Sequence, residues 1–218
     1  MERQQVDITG YSYEHFVSFL FDHEVVGTNE GNGPWYWNVD VTFEPANVCL
    51  FYKRFFRQPE FILRDCSKPK LEQGFWAIQG PNLACSVSNI IWNDELPFSS
   101  RSECVRSMTD LFTRLFANEP LETSVQMWWD SLCYDWNCGN RERNRGGEDL
   151  LMQDVLFETL SKLLKSDSEI CQGAALHGLG HLHHPKTEEL IDSYMRERPS
   201  LSEDWKKYAL AAAKFEVL

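Results

Sequence analysis

Along most of this chain apolar residues recur every three or four positions, the spacing that lines one face of an α-helix. Phe16, Val17, Leu20 and Phe21 form such a stripe between Tyr13 and Phe21, with Ser12 placed as its N-cap. Val48, Phe51, Tyr52 and Phe55 form the next, opening at Pro45 and running to Arg57. Pro59 starts a short helix with Phe61, Ile62 and Leu63, and Leu71, Phe75, Trp76 and Ile78 follow Lys68-Pro69. Beyond the Gly80-Pro81 boundary come Leu83, Val87, Ile90 and Ile91. A longer helix is predicted from Ser100 to Ala117. Pro120 then restarts the chain, with Val125, Trp128, Trp129, Leu132 and Trp136 as its apolar face. Four more helices are predicted over 148–165, 168–183, 186–196 and 203–217, bounded by Pro185, Pro199 or caps such as Asp167 and Ser202.

One stretch departs from this period. Trp35, Trp37, Val39, Val41 and Phe43 alternate with Tyr36, Asn38, Asp40 and Thr42, which is strand spacing. No second segment of comparable quality offers a partner, so an extended, aromatic-anchored segment is favoured over a sheet. The loop before it, Gly27 to Pro34, lacks the Lys-Ser/Thr that would follow a phosphate-cradling glycine loop.

Residues 170–194, ICQGAALHGLGHLHHPKTEELIDSY, read as helix, turn, helix. Ala174, Ala175, Leu176, Leu179 and Leu182 put small and aliphatic residues at helical spacing. Pro185 ends that helix and suits the first turn of the next, whose stripe is Leu190, Ile191 and Tyr194. Gly178-Leu179-Gly180, Leu182, Pro185, Leu190 and Ile191 together resemble one unit of a HEAT-like, armadillo-type repeat, a unit of roughly forty residues. The resemblance implies an all-α fold, a right-handed α-α superhelix (HEAT-like solenoid), with an irregular or short extended N-terminal segment. On that reading residues 1–218 are a single domain: an irregular 1–44, a first helical part 45–137 and HEAT-like C-terminal repeats 148–218. The function it implies is non-catalytic protein binding through a face of stacked helices, as an adaptor or an inhibitor or immunity-type protein. The alternative is a nucleic-acid-acting or metal-dependent enzyme on the same scaffold.

Charge narrows the partners. The formal net charge is −12, with 33 acids against 21 Lys and Arg. Phosphate backbones would be repelled, whereas a basic protein would be attracted. Seven cysteines, an odd number, behind a start with neither a basic nor an apolar leader favour reduced thiols in a cytoplasm. No apolar run approaches the ~20 residues of a membrane span.

Three groups of side chains are candidates for contact or chemistry. Trp128 and Trp129 are neighbours on a helix, about a hundred degrees apart, so one ring is either an exposed anchor or covered by another helix. Lys53, Arg54 and Arg57, and Arg141, Arg143 and Arg145 in the polar loop from Cys138 to Gly147, are local positives in an acidic chain that an anionic segment would fit; solvated helix faces are the plainer account. His177 and His181 stand four apart on one helical face, with His183 and His184 in the turn after it. Such a pair holds zinc when a third ligand completes the shell. Gly178 occupies the place of the glutamate in H-E-x-x-H, so no metal and no cofactor are expected. His23-Glu24 is a lone pair of its kind and cannot build the repeated shells of the HEAT-like di-iron hydroxylases. Cys133 and Cys138 have no zinc-site spacing.

Overall fold

The computed structural model describes residues 3–25 and 33–217. The first residues of the chain and most of the glycine-rich loop expected from Gly27 lie outside them. The described residues form mainly α-helix, eleven in all, with two short strands. None of the helices is long and apolar enough to cross a membrane.

Helix α1 (Tyr13–Phe21) opens on Ser12, whose hydroxyl accepts from the His15 amide at 3.2 Å. In α2 (Pro45–Arg57) proline takes the first turn, where its missing N–H leaves nothing unpaired, and Arg54 and Arg57 sit at the negative C-terminal end. The short α3 (Ile62–Asp65), α4 (Lys68–Gln79) and α5 (Val87–Ile90) follow. Helix α6 (Phe98–Leu111) widens into a single π turn over Phe112–Phe116, so the long predicted helix is there but changes pitch at its end. Then come α7 (Trp128–Asn137), α8 (Gly147–Leu164), α9 (Glu169–Leu182), α10 (Thr187–Glu197) and α11 (Glu203–Ala213).

Three sequence expectations need correction. The residues from Trp35 do pair as a sheet: after one 3-10 turn, β2 (Val39–Thr42) lies parallel to β1 (Gln4–Asp7), in register Gln4 with Val39. Strand β1 was silent in the sequence because it is mostly exposed and carries one apolar residue, Val6; beside the backbone ladder, Gln5 Nε2 donates to its register partner Asp40 at 2.9 Å. The cap of α9 is Ser168, whose hydroxyl accepts from the Cys171 amide at 3.4 Å, and not Asp167. Helix α7 begins at Trp128, eight residues later than Pro120 suggests, and a carboxylate explains why. Glu72 of α4 accepts from the amides of Glu122, Thr123 and Ser124 at 3.1, 3.0 and 2.9 Å, and from the hydroxyls of Thr123 and Ser124. Those amides are spent on a side chain, so the segment stays irregular. Burial alone would raise the Glu72 carboxyl, but the bonds from Ser124 and Thr123 outweigh it and bring it below its usual value.

Two series of helices pack in succession: α1 on α4, α4 on α7, α7 on α9 and α9 on α11, and α2 on α6, α6 on α8 and α8 on α10; α8 also packs on α9 and α10 on α11. One continuous apolar cluster joins them, from Ile8 to Ala213. Helix α9 is its hub, with eleven of its fourteen residues buried. Its glycines make this possible: a Cβ on Gly178 would meet Trp129 Cβ at 2.5 Å, and one on Gly180 would meet Val217 Cγ2 at 2.3 Å. The helix ends on His183 in the left-handed region (φ 53°), its ring stacked on Phe215 with centroids 4.4 Å apart.

Candidate metal centre

The close approach of α7 and α9 that Gly178 permits brings Asp130, from α7, against His177 and His181, from α9. One ligand atom of each lies within 4.8 Å of the other two. His177 and His181 are one helical turn apart, with ring centroids at 4.7 Å and planes 82° apart. Both are buried, at 1% and 4% exposure.

The nitrogens of these rings are poorly supplied. His177 Nδ1 meets the Tyr208 hydroxyl at 3.0 Å, while its Nε2 has no hydrogen-bond partner among the described residues. His181 Nε2 lies 3.1 Å from Asp130 Oδ1, yet without the alignment of a hydrogen bond, so neither of its nitrogens is satisfied. Buried polar atoms left in this state cost free energy, on the order of 1–3 kcal/mol each. A cation between them is one group that would satisfy several at once.

Protonation favours the same outcome. Burial lowers the pKa of His177, and the neighbouring His181 lowers it further, against the opposing pull of Asp130. Burial also lowers that of His181, again opposed by Asp130. Both imidazoles are therefore neutral at neutral pH and each has a lone pair to give. Burial raises the Tyr208 phenol to about 12, so it keeps its proton and can fix the His177 tautomer. With the proton on Nδ1 facing Tyr208 oxygen, Nε2 is left as a donor to metal.

Asp130 is the least buried of the three, its side chain 25% exposed. It also lines an open cleft of about 560 Å3, together with Asn89, Trp92, Tyr134 and Arg141. Tyr134 packs edge-on against His181 at 5.5 Å and so separates the histidine from solvent. The centre thus has a buried side, made by α9, and an accessible side at the cleft.

His183 and His184 do not join. His183 Nε2 faces Asn137 Oδ1 at 3.0 Å, and His184 Nε2 faces Asp154 Oδ1 at 3.0 Å with its ring stacked on Phe157. Burial lowers the pKa of both, as it does for His23. Five histidines are then more reluctant to take a proton in the folded chain than in the unfolded one. Below the ordinary value of 6.5 the unfolded state binds more protons, so stability is full above that value and falls as pH drops through it toward the folded values. Urea midpoints measured from about pH 7.5 down to about pH 5 should decline before ordinary carboxylates titrate; a flat profile over that range would contradict the burial of these rings.

The contact residues expected from the sequence are engaged elsewhere. Trp128 and Trp129 are both fully buried, which overturns their use as exposed anchors. Trp128 packs edge-on against Phe56, Phe75, Phe112 and Phe116, and Trp129 stacks on Phe112 at 5.4 Å. A helix covered on one side cannot hide adjacent residues, but the first turn of α7 is covered from several sides, by α4, the π turn and α9. Of the basic residues, Lys53 and Arg57 both bond Glu103, and Arg54 pairs with Glu14 over the Tyr13 ring. Arg143 pairs with Asp154, Arg145 with Glu142, and Arg141 with Asp135 and Asp149. Only Arg141 of these lines the cleft beside Asp130. Asp130 itself had no sequence signal, since nothing in Trp-Trp-Asp-Ser-Leu relates it to histidines 47 and 51 positions later.

No protein-family model matches this sequence, and neither a curated protein nor a solved structure matches it, so the site is read from its own chemistry.

Proposed function

We propose that this chain binds a divalent transition metal between Asp130, His177 and His181, within a helical array of the solenoid type. One observation carries the reading: two buried histidines with unpartnered nitrogens converge with a carboxylate from another helix. Metal–ligand bonds of 2.0–2.2 Å in a tetrahedral shell put ligand atoms about 3.3 Å apart. The 3.1 Å between His181 Nε2 and Asp130 Oδ1 is close to that, and the 4.8 Å limit on the set asks for only small side-chain movements. Two imidazoles and one carboxylate suit zinc, iron(II) or cobalt(II), and suit magnesium and calcium poorly, because those prefer all-oxygen shells. Three protein ligands are also the number found where a metal keeps a position open for chemistry.

Two series of successively packed helices are the arrangement a HEAT-like array produces, which supports the solenoid reading of the scaffold. Seven unpaired cysteines fit a reducing cytoplasm. A second reading, docking of a basic protein, is favoured by charge: the chain carries a formal net charge of −12, and the basic side chains expected as contacts are paired with its own acids.

Calorimetric titration of metal-free full chain with zinc should give one ion per chain and a raised thermal midpoint, by about 2.7 kcal/mol of added stability at a hundredfold excess over Kd. Asp130→Ala, His177→Ala and His181→Ala should each abolish the stoichiometric heat, while His183→Ala leaves it intact. Absence of a one-to-one complex with zinc, cobalt(II) and iron(II) alike would sink the reading.

A further inference from the structure

We propose that the accessible side of the Asp130–His177–His181 centre takes a small oxyanion, the carboxylate or phosphoryl end of a ligand, which spans from the metal to Arg141 across the cleft. The inference rests on the metal reading above and goes beyond it by naming what the metal's open side faces. Asp130 belongs to both the centre and the cleft, whereas the two histidines are buried and do not line it, and Tyr134 of the cleft packs edge-on against His181. A ligand reaching a metal held there would therefore come from the cleft, past Asp130.

Charge sets the sign of the guest. A divalent ion with one carboxylate and two neutral imidazoles keeps one uncompensated positive charge, which attracts an anion. The second contact is already in place. Arg141 lies flat on Trp92, its guanidinium carbon 3.1 Å from the ring centroid. Asp135 receives its Nε at 3.2 Å and Asp149 its Nη1 at 3.0 Å. Those bonds occupy Nε and Nη1 and leave Nη2 without a protein partner among the described residues. A guanidinium immobilised by stacking and two carboxylates loses little rotamer freedom when an oxyanion arrives. Those two carboxylates also offset its charge, so Arg141 contributes direction more than net attraction, and the metal supplies the attraction.

The test uses full-length protein loaded with cobalt(II), whose visible bands report its ligands directly. Titration with inorganic phosphate, and separately with acetate, should change those bands saturably with at least one of the two, and the stronger responder identifies a phosphoryl or a carboxylate guest. Arg141→Met should keep the cobalt spectrum and weaken the anion by about tenfold or more, the worth of a charge-assisted hydrogen bond. If that variant does not fold, Arg141→Lys, which keeps the charge but loses the fork, should show an intermediate loss. Cobalt that fails to bind would defeat the metal reading itself. Cobalt that binds with a spectrum indifferent to both anions, or an anion affinity unchanged in the arginine variants, would overturn this inference alone.

Discussion

Arg101→Met is expected to destabilise the fold by about 3 kcal/mol, more than any other single charge removal in the chain. The side chain is 2% exposed and satisfied on every edge. Its Nε donates to the Leu96 carbonyl at 3.0 Å and its Nη1 to the Ile91 carbonyl at 3.3 Å, while Nη1 and Nη2 grip Glu148 at 2.8 and 2.5 Å. Three parts of the chain meet there: the turn between α5 and α6, α6 itself, and the first turn of α8. Glu148 is half-exposed, so the ion pair is screened and supplies the smaller share. The larger share is the pair of inward carbonyls that methionine would leave unbonded. Thermal unfolding should fall by roughly 6 to 12 °C for a chain of this size. Arg101→Lys should recover only part of the loss, because an ammonium cannot reach both carbonyls and the carboxylate. A variant within about 0.5 kcal/mol of the parent would show that the carbonyls find other donors.

Gly178→Ala should cost about 2 kcal/mol even though alanine is the better helix former by about 1 kcal/mol. The added methyl would stand 2.5 Å from Trp129 Cβ and 2.9 Å from Leu160 Cδ2. Trp129 Cβ is fixed to its backbone, so relief requires α7 and α9 to separate. Asp130 stands on one of those helices and the two histidines on the other, so zinc affinity should drop with stability, by about tenfold on the scale of disturbed metal shells. Gly173→Ala is the control: its methyl would meet only the far edge of Trp205 at 3.4 Å, so it should be neutral or gain up to about 1 kcal/mol from helix propensity. Equal behaviour of the two variants in urea unfolding would refute the account of why α9 carries these glycines.

Periodicity located most helices, because each has an apolar face whose spacing survives in one dimension; α1, α2, α8 and α9 begin and end within a few residues of expectation. What it missed depended on partners distant in sequence. The start of α7 is set by Glu72, about fifty positions earlier, and β2 pairs with a strand that has no pattern of its own. The histidine pair was visible as an i, i+4 spacing, and its third ligand was not, since Asp130 reaches it only through the packing of α7 on α9. The same packing reversed the expectation for Trp128 and Trp129: both rings are covered, and the helix keeps its wet side at Asp130 and Tyr134 instead. The basic residues were readable as clusters, but their neutralising acids lie in other helices or across a turn.

The polar loop between α7 and α8 has the composition of a hinge, yet the parts of the chain before and after it are fastened by more than the peptide link. Trp129 lies against Gly178, and Arg141 and Arg143 tie the loop back to Asp149 and Asp154 of α8. A protease cut within it would therefore yield a nicked molecule whose two fragments co-purify and melt as one, and each piece expressed alone would lack the wall that the other provides.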